Sequence, residues 1–345
     1  MKTADFDYFL PSELIAQTPL DDRSSSRLMI LNKDTGEIEE DIFKNIISYL
    51  PKNSVMVINN TKVVPARIIG EKEKTGAKIE LLLLKDLSNN KYECLTKPVR
   101  RLHIGDMVVF KDSILKARID SIHEEGIVHV TFFYEGIFYE VLDKVGEVPL
   151  PPYIHEKLEK RERYNTIYSK VNGSSAAPTA GLHFTEDLLN KIKESGIEIL
   201  EVTLTIGLGT FRPVKEDIIE NHQMHSEEYE ISEDVARKLN LAKKEGKKII
   251  SVGTTSLRTL EANYSKYGMF KATKEDTEIF IYPGYSFKAI DELITNFHLP
   301  KSTLIMLVSA LAGRENILNA YNKAVEDKFR FFSFGDAMYI RSSDE

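Results

Sequence analysis

A single cysteine, Cys94, is the only thiol in this 345-residue chain, which also lacks a long apolar segment. One cysteine can form neither an internal disulfide framework nor a multi-cysteine zinc site. The longest apolar run, residues 304–312, is well short of the roughly 20 residues that span a bilayer. The N-terminal MKTADFDYFLP also lacks the basic start and apolar core of a signal peptide. We therefore expect a cytoplasmic protein without a membrane role.

Positive charge is scarce as well, because 46 basic and 53 acidic residues give a formal net charge of −7. An acidic protein does not bind polyanions indiscriminately, so contact with a nucleic acid needs a local basic patch. Two groupings qualify: Arg23 and Arg27 flank three serines, and Arg100 and Arg101 lie in the segment KPVRRLH. These four arginines are candidate contacts to phosphate, and an ordinary solvated surface is the alternative interpretation.

The chain length and a change in the sequence pattern, from short β-rich runs to alternating strands and helices, predict two domains. Residues 62–153 contain short β-rich runs separated by turn residues, at the spacing typical of a small β-barrel. The barrel strands are predicted at residues 78–84, 92–96, 107–110, 115–122 and 127–133. A helix at 137–145 and the stiff segment VPLPPY follow, and VPLPPY is the best linker candidate in the chain.

The rest of the chain has the alternating elements of an α/β domain. Strands are predicted at residues 55–58, 197–206, 248–252, 278–282 and 293–297, and helices at 186–195, 233–244, 257–264 and 303–312. The strand at 55–58 precedes the barrel but resembles the buried strands that follow it. We therefore predict a layered α/β main domain of residues 1–61 and 154–345, into which a small antiparallel β-barrel of residues 62–153 is inserted.

One stretch, residues 164–184, is too rich in small and flexible residues to be a core element. Its glycines and hydroxyls let backbone amides approach a ligand without obstruction. His183 closes this loop just before a helix start, at which Thr185 is the expected N-cap. Such a loop favours a polar or anionic ligand. The alternative is an ordinary loop with a hydrogen-bonded histidine.

Other turns also carry polar groups. SVGTTSLRT, residues 251–259, is a strand-to-helix turn that offers hydroxyls and helix amides, although N-capping alone also explains it. GLGTFR at Gly207 lacks the third glycine of a dinucleotide loop, which argues against a Rossmann site. His222 and His225 lie three residues apart with Glu227 near, but no third ligand has recognisable spacing, so no metal site is predicted.

Long segments of the chain match a known family when they are taken together. They are YNTIYSKVNGSSAAPTAGLHF, GLGTFRPV, MHSEEYEI, VGTTSLRTLE, DTEIFIYPGYSFKAIDELITNFHLPKSTLIMLVSALAG and FRFFSFGDAMYI, with AQTPL, INNTKVVPAR and GEVPLPPYI before them. These segments closely resemble the S-adenosylmethionine:tRNA ribosyltransferase-isomerase family of queuosine biosynthesis, in the same order over nearly the whole chain. The resemblance implies an α/β domain with an inserted β-barrel, in agreement with the texture above.

The resemblance also implies a reaction. The ribosyl part of S-adenosylmethionine is transferred and isomerised onto the 7-aminomethyl-7-deazaguanine at the tRNA wobble position, which gives epoxyqueuosine and releases adenine and methionine. S-adenosylmethionine is then a co-substrate, tRNA is the partner, and no cofactor is expected. The chemistry needs a base for the carbon beside the sulfonium, charge stabilisation near sulfur, and a donor to the departing adenine.

Candidates for these roles lie in the matching motifs. Histidines and carboxylates can serve as acid, base or counter-charge, and the catalytic candidates are His183, His298, Glu227 and Asp336. The candidate substrate contacts are Gly173, Ser174, Thr179, Gly181, Arg212, Gly253, Thr254, Thr255, Arg258 and Asp276, of which the two arginines are candidates to hold the methionine carboxylate. We expect His183 to be the leading acid–base group, because the helix after it should help to keep its imidazole neutral. His298 is the runner-up.

The chain departs from the family pattern at two positions, and two other functional classes are alternatives. The chain has Ser24 where the family has an aspartate, and Thr205 where the family often has a histidine. A tRNA-binding module without catalysis would keep the barrel and the basic cluster but would not need the loop histidines. A metal hydrolase would need His222, His225 and a third ligand. The sequence does not determine the oligomeric state, with a monomer slightly favoured.

Overall fold

The computed structural model describes residues 1–156, 158, 160–207, 214 and 216–343. The chain divides into two compact units. The first unit comprises Met1–Thr61, Pro152–Val171 and Pro178–Glu345, and the second comprises Lys62–Pro151 and Asn172–Ala177. No helix among the described residues is long and apolar enough to cross a membrane.

Strands dominate the first half of the described chain, and most of the α-helices lie after residue 185. The strands are β1 (Arg27–Asn32), β2 (Ile38–Ile42), β3 (Ser54–Asn59), β4 (Thr61–Val63), β5 (Arg67–Lys72), β6 (Lys78–Asp86), β7 (Lys91–Lys97), β8 (Met107–Phe110), β9 (Leu115–Ile122), β10 (Ile127–Tyr134), β11 (Gly146–Glu147), β12 (Val171–Ser174), β13 (Glu198–Leu204), β14 (Glu227–Ile231), β15 (Lys248–Val252), β16 (Thr273–Thr277), β17 (Glu292–Asn296) and β18 (Ala337–Arg341). The helices are α1 (Phe138–Val145), α2 (Glu186–Glu194), α3 (Glu233–Lys244), α4 (Gly253–Tyr267), α5 (Thr303–Ala312) and α6 (Arg314–Glu326). Short 3-10 helices form at several turns, and those at Arg23–Ser25 and Thr179–His183 bear on the site.

The first unit contains a mixed sheet, which has nine strands within the described part of the chain. The strand order is β16-β14-β13-β3-β15-β17-β18-β1-β2. The centre is parallel, since β13, β3, β15 and β17 all run in one direction. β18 is antiparallel to β17 and parallel to β1. The outer pairs β1–β2, β13–β14 and β14–β16 are antiparallel.

Three of the central strands, β3, β15 and β17, are buried on both faces, as is typical of parallel strands covered by helices. All residues of β3 and of β17 are buried. Helix α2 contributes Leu188, Leu189 and Ile192 to a hydrophobic cluster that includes Met56 of β3. Thr185 Oγ1 accepts the amide of Leu188 at 3.3 Å, so the predicted N-cap of this helix is confirmed.

The second unit contains an antiparallel barrel, which over the described residues has the strand order β5-β6-β7-β10-β9-β8 and closes where β8 pairs with β5. β11 adds to β5 as a further strand. Alternate residues of β6, namely Ile79, Leu81 and Leu83, are buried, as expected for a barrel wall. Gly70 permits the closure, because a Cβ there would lie 2.5 Å from the Val109 carbonyl oxygen. The predicted fold class, mixed α/β with a small antiparallel barrel, is confirmed.

The sequence prediction fails at the more polar elements. Residues 278–282, predicted as a strand, do not form one, and the edge strand is instead β16, with the polar sequence TKEDT. An edge strand with exposed residues has no apolar run that a pattern search could detect. The prediction also omits β14, β18 and α6, for example, and α4 begins at Gly253 rather than Leu257.

Candidate functional site

Three distant segments of the first unit converge on a pocket of about 30 Å³. The segments are residues 19–26, 182–183 and 333–335, and Arg163 completes the wall. The lining residues are Pro19, Leu20, Arg23, Ser26, Arg163, Leu182, His183, Ser333, Phe334 and Gly335. This volume accommodates a small polar group rather than a whole nucleoside, since one water needs at least about 10–15 Å³ on the same measure.

His183 ends the 3-10 helix Thr179–His183, whose path depends on Gly181. A Cβ at Gly181 would lie 2.0 Å from Tyr168 Oη, so no other residue fits against that side chain. His183 is 5% exposed, and its ring packs on Phe43 with the centroids 5.0 Å apart. Its Nδ1 lies 2.8 Å from Ser26 Oγ, whereas Nε2 has no hydrogen-bond partner among the described residues.

Burial lowers the pKa of His183 from 6.5 to about 4 and is the largest cause of the shift. The Asn296 side chain acts in the opposite direction and raises this pKa, whereas the positive charges of Arg330 and Arg23 lower it further. The sequence analysis expected the dipole of the following helix to help keep this imidazole neutral, and in the folded chain loss of solvation is the largest cause of the lowered pKa. His183 is therefore an uncharged imidazole at neutral pH.

Arg23 and Arg163 form the positive side of the pocket, and each donates hydrogen bonds to backbone carbonyls of the segment that carries the other. Arg23 Nη1 donates to the Asn165 carbonyl at 2.8 Å. Arg163 donates through Nη1 to the Asp21 carbonyl at 3.2 Å and through Nη2 to the Leu20 carbonyl. Burial and then the charge of Arg163 lower the pKa of Arg23. Because both guanidiniums bind backbone carbonyls rather than carboxylates, the pocket has a positive potential.

A second group of polar residues begins helix α4. Val252, which precedes it, has no side-chain oxygen to cap the helix, and Gly253 adopts a φ of +86° that favours glycine. Thr254, Thr255 and Ser256 are buried in the first turn. The hydroxyl oxygens of Thr255 and Ser256 have no hydrogen-bond partner within the described chain. The start of α4 therefore contains buried hydroxyls that form no hydrogen bond with the described residues and are available to a ligand.

One turn further along α4, Arg258 forms a buried ion pair with Glu227 of β14. Each side chain is 4% exposed, and Arg258 Nη1 donates to Glu227 Oε2. Arg258 Nε and Nη2 have no hydrogen-bond partner among the residues described. Buried donors without acceptors are costly, so these two atoms indicate a place for an anionic ligand.

His298 is hydrogen-bonded by the protein at several atoms. Its Nε2 lies 3.0 Å from Thr295 Oγ1, its amide donates to Tyr321 Oη at 3.0 Å, and its carbonyl accepts from Tyr8 Oη at 2.5 Å. Burial lowers the pKa of His298 to about 3. His298 does not line the pocket of His183, so the two histidines that the sequence paired as candidates occupy different environments.

Asp336 and Arg27 are joined through the backbone. The Asp336 carboxylate accepts the amide of Arg27 at 2.8 Å and that of Arg330 at 2.7 Å, and burial raises its pKa. The Arg27 side chain pairs with Glu40 at 2.8 Å and lies over the ring of Phe329 at 3.7 Å from its centroid. Asp336 thus ties the start of β1 to the turn before β18.

The other residues that were predicted to contact the substrate belong to different elements of the chain. Thr179 begins the 3-10 helix that contains Gly181. Gly173 and Ser174 belong to the second unit and lie in β12. Asp276 is exposed on the edge strand β16. Arg212 lies outside the described residues.

The basic cluster of the second unit forms an exposed turn, the 3-10 helix Val99–Arg101. Arg100 and Arg101 are both exposed. Lys72 holds the backbone of the turn, since its Nζ donates to the Arg101 carbonyl at 3.2 Å and pairs with Asp106 at 2.7 Å. The turn therefore presents two positive side chains from a fixed backbone.

The histidine pair at His222 and His225 belongs to no cluster of metal-ligating residues within the described part of the chain. His222 Nδ1 lies 3.2 Å from Glu216 Oε2, and its ring packs on Phe280. No group of three or more His, Cys, Asp or Glu among the described residues could hold a metal ion. The described part of the chain therefore offers no support for a metal hydrolase.

Comparison with known proteins agrees with the resemblance in the motifs. The model of the family described as "Queuosine biosynthesis protein" matches residues 3–340. The chain belongs to this family. It is 59% identical over 340 residues to an S-adenosylmethionine:tRNA ribosyltransferase-isomerase of Thermoanaerobacter sp. (strain X514), covering 99% of this chain and 100% of that protein.

Two further relatives in the queuosine biosynthesis family extend the match. An S-adenosylmethionine:tRNA ribosyltransferase-isomerase of Clostridioides difficile (strain 630) is 57% identical over 341 residues, covering 99% of this chain and 100% of that protein. The crystal structure of S-adenosylmethionine tRNA ribosyltransferase from Thermotoga maritima is 36% identical, with a TM-score of 0.55 and coverage of 97% of this chain and 99% of that chain.

Within this family member, Ser24 has a local structural role. Its amide and hydroxyl both donate to Asp22 Oδ1 at 2.9 Å, which caps the 3-10 helix that starts at Arg23. Ser26 and Arg163, both of which line the pocket, were not named as site residues from the sequence. Ser26 is one of the three serines between Arg23 and Arg27, whereas the only signal for Arg163 is its closeness to a matched motif.

Proposed function

We propose that the chain is a tRNA-modifying enzyme that transfers and isomerises the ribosyl moiety of S-adenosylmethionine. The acceptor is the 7-aminomethyl-7-deazaguanine at the tRNA wobble position, and the products are epoxyqueuosine-tRNA, adenine and methionine. The observation that carries this proposal is 59% and 57% identity over the full length of two ribosyltransferase-isomerases. We expect the protein in the cytoplasm, where both substrates occur.

His183 is the leading acid–base residue in this proposal. The reaction requires removal of a proton from the carbon beside the sulfonium, and a neutral imidazole can take part in proton transfer. His183 lines the pocket, and its Nε2 has no hydrogen-bond partner among the described residues. His298, Glu227 and Asp336 remain candidates, but the hydrogen bonds of each to protein groups favour a structural role.

The substrate contacts proposed from the motifs remain proposals. The start of α4, with Gly253, Thr254 and Thr255, is the best supported, because a helix N-terminus attracts anionic groups. Thr179 and Gly181 adjoin His183 in the chain and form part of the same 3-10 helix. Gly173 and Ser174 rest on the small-residue composition of their loop and on the sequence resemblance, and Arg212 and Asp276 rest on the resemblance.

Four arginines are proposed to contact the phosphates of tRNA. Arg100 and Arg101 favour this role, since they are exposed on a turn whose backbone is held by Lys72. Arg23 lines the positive pocket of the first unit. Arg27 is the least favoured of the four, because Glu40 already pairs with its guanidinium.

The test is an incubation of the protein with S-adenosylmethionine and tRNA that carries the precursor base, in the presence of a chelator. We expect adenine and methionine to be released in equal amounts, with the ribosyl-derived group appearing on the tRNA. Transcripts that carry guanine at the wobble position serve as the control and should release no adenine. Absence of adenine release from the modified tRNA would overturn the proposal, and release only after addition of a divalent metal would favour a hydrolase.

A further inference from the structure

We propose that the first turn of α4 and Arg258 form a carboxylate subsite that holds the amino-acid end of the donor and discriminates against a donor without that carboxylate. The identity of the donor as S-adenosylmethionine rests on the proposed function. The binding of a carboxylate at this position rests on the geometry of the described residues.

Arg258 offers a matched pair of donors. Nη1 is occupied by Glu227, whereas Nε and Nη2 lie on one edge of the guanidinium and have no partner among the described residues. Two parallel N–H groups on one edge of a guanidinium match the two oxygens of a carboxylate. Arg258 is 3% exposed, so bulk solvent does not satisfy these donors.

The start of α4 supplies a second set of donors that is independent of Arg258. The helix is 15 residues long, which gives its N-terminus a developed positive partial charge. Val252 provides no cap, and the hydroxyls of Thr255 and Ser256 have no partner in the described part of the chain. A carboxylate at this position would accept hydrogen bonds from the helix start and would neutralise its charge.

The subsite adjoins the turn that carries the leading catalytic candidate. A Cβ placed on Gly253 would lie 3.7 Å from Ala180 Cβ, and Ala180 belongs to the 3-10 helix Thr179–His183. A donor anchored by its carboxylate at α4 would therefore extend beside that helix. This proximity distinguishes the subsite from a general anion site elsewhere on the molecule.

In this proposal Glu227 serves to position Arg258. It is 5% exposed and pairs with Arg258 Nη1, which leaves the opposite edge of the guanidinium available. A carboxylate so engaged is a positioning residue, since it orients Arg258 rather than the reacting atoms. Replacing it should impair donor binding through Arg258.

The experiment measures binding of two donors by calorimetry without tRNA: S-adenosylmethionine, and its decarboxylated form, which keeps the sulfonium and the adenosine. We expect the wild-type protein to prefer the carboxylated donor about 10-fold to 100-fold, as for the loss of a charge-assisted hydrogen bond. The double variant Glu227→Gln with Arg258→Gln replaces the ion pair by neutral groups of similar size. It should fold, should bind the carboxylated donor more weakly than the wild-type protein does, and should lose most of the preference, because only the donors at the start of α4 remain.

Two controls separate the subsite from other effects. Arg237→Gln removes an equal charge at an exposed arginine that pairs with Asp234 on α3, and it should keep the full preference. Arg258→Lys keeps the charge without the paired donors and should lose most of the preference. A double variant that folds and keeps the full wild-type preference, or a wild-type protein that binds both donors alike, would overturn the subsite.

A second probe distinguishes failure of the subsite from failure of the proposed function. L-methionine and methioninamide share a side chain and differ in the carboxylate, and each can be tested for thermal stabilisation of the protein. If S-adenosylmethionine does not bind but L-methionine stabilises the wild-type protein more than methioninamide does, the subsite stands and the proposed donor is wrong. If neither S-adenosylmethionine nor L-methionine is bound through its carboxylate, the subsite itself is wrong.

Discussion

Acidification should destabilise the first unit through His183, and the size of the effect follows from its burial. Burial lowers the pKa of His183 from 6.5 to about 4 in the folded protein, so the unfolded state binds the proton more tightly. This contribution to stability is therefore complete above pH 6.5 and is lost as the pH falls toward 4. At about 1.4 kcal/mol for each unit of pKa, the full loss is about 3 kcal/mol, of which about 2 kcal/mol is lost by pH 5.

The assay is urea unfolding of the wild-type protein and of His183→Gln at pH 7 and pH 5. Glutamine is polar and similar in size but does not titrate. Between the two pH values the free energy of unfolding of the wild-type protein should fall by about 2 kcal/mol more than that of the variant. His298, whose pKa burial lowers to about 3, is present in both proteins and cancels in the difference. Equal losses in the two proteins would refute the reasoning that a buried neutral His183 makes the fold acid-sensitive.

Three further outcomes are expected. His183→Gln should lower kcat about 100-fold to 10,000-fold with little change in donor affinity, as measured by adenine release, and a near-normal rate in a folded variant would assign His183 a structural role. Arg100→Ala with Arg101→Ala should reduce the salt slope of tRNA binding by about 2, whereas Arg27→Ala should change it least; equal slopes throughout would locate the contact surface elsewhere. Glu261→Gln should destabilise the first unit by about 2 kcal/mol, because this buried carboxylate accepts three backbone amides and a tyrosine hydroxyl. Urea unfolding measures that loss, and an unchanged midpoint and slope would contradict it.

Part of the candidate site could be predicted from the residue types of contiguous segments. The small-residue stretch before His183 and the hydroxyl-rich turn at Gly253 are contiguous in sequence, so both were predicted as ligand positions from residue types alone. The pocket wall at Ser26 and Arg163 was not predicted. These residues lie 137 positions apart, and their contribution depends on how the intervening segments pack, which no local pattern encodes.

The roles of the carboxylates also depended on tertiary packing. Glu227 and Asp336 were predicted as catalytic because a free carboxylate can act as a base. In the folded chain one pairs with the buried Arg258 and the other accepts two backbone amides. Residue type determines what a side chain can do, whereas its neighbours determine which of its atoms remain available.

The sequence by itself determined the family, the α/β texture with a β-barrel, and the buried strands, because family motifs and apolar runs are properties of contiguous residues. Only the tertiary structure decided that His183 is buried and neutral, that Ser26 lies at its Nδ1, and that Arg258 keeps two donors unused among the described residues. Each of these depends on desolvation and on contacts between residues far apart in the chain. Such contacts form only when the folded sheet and helices bury a polar group, so they cannot be predicted from a local sequence pattern.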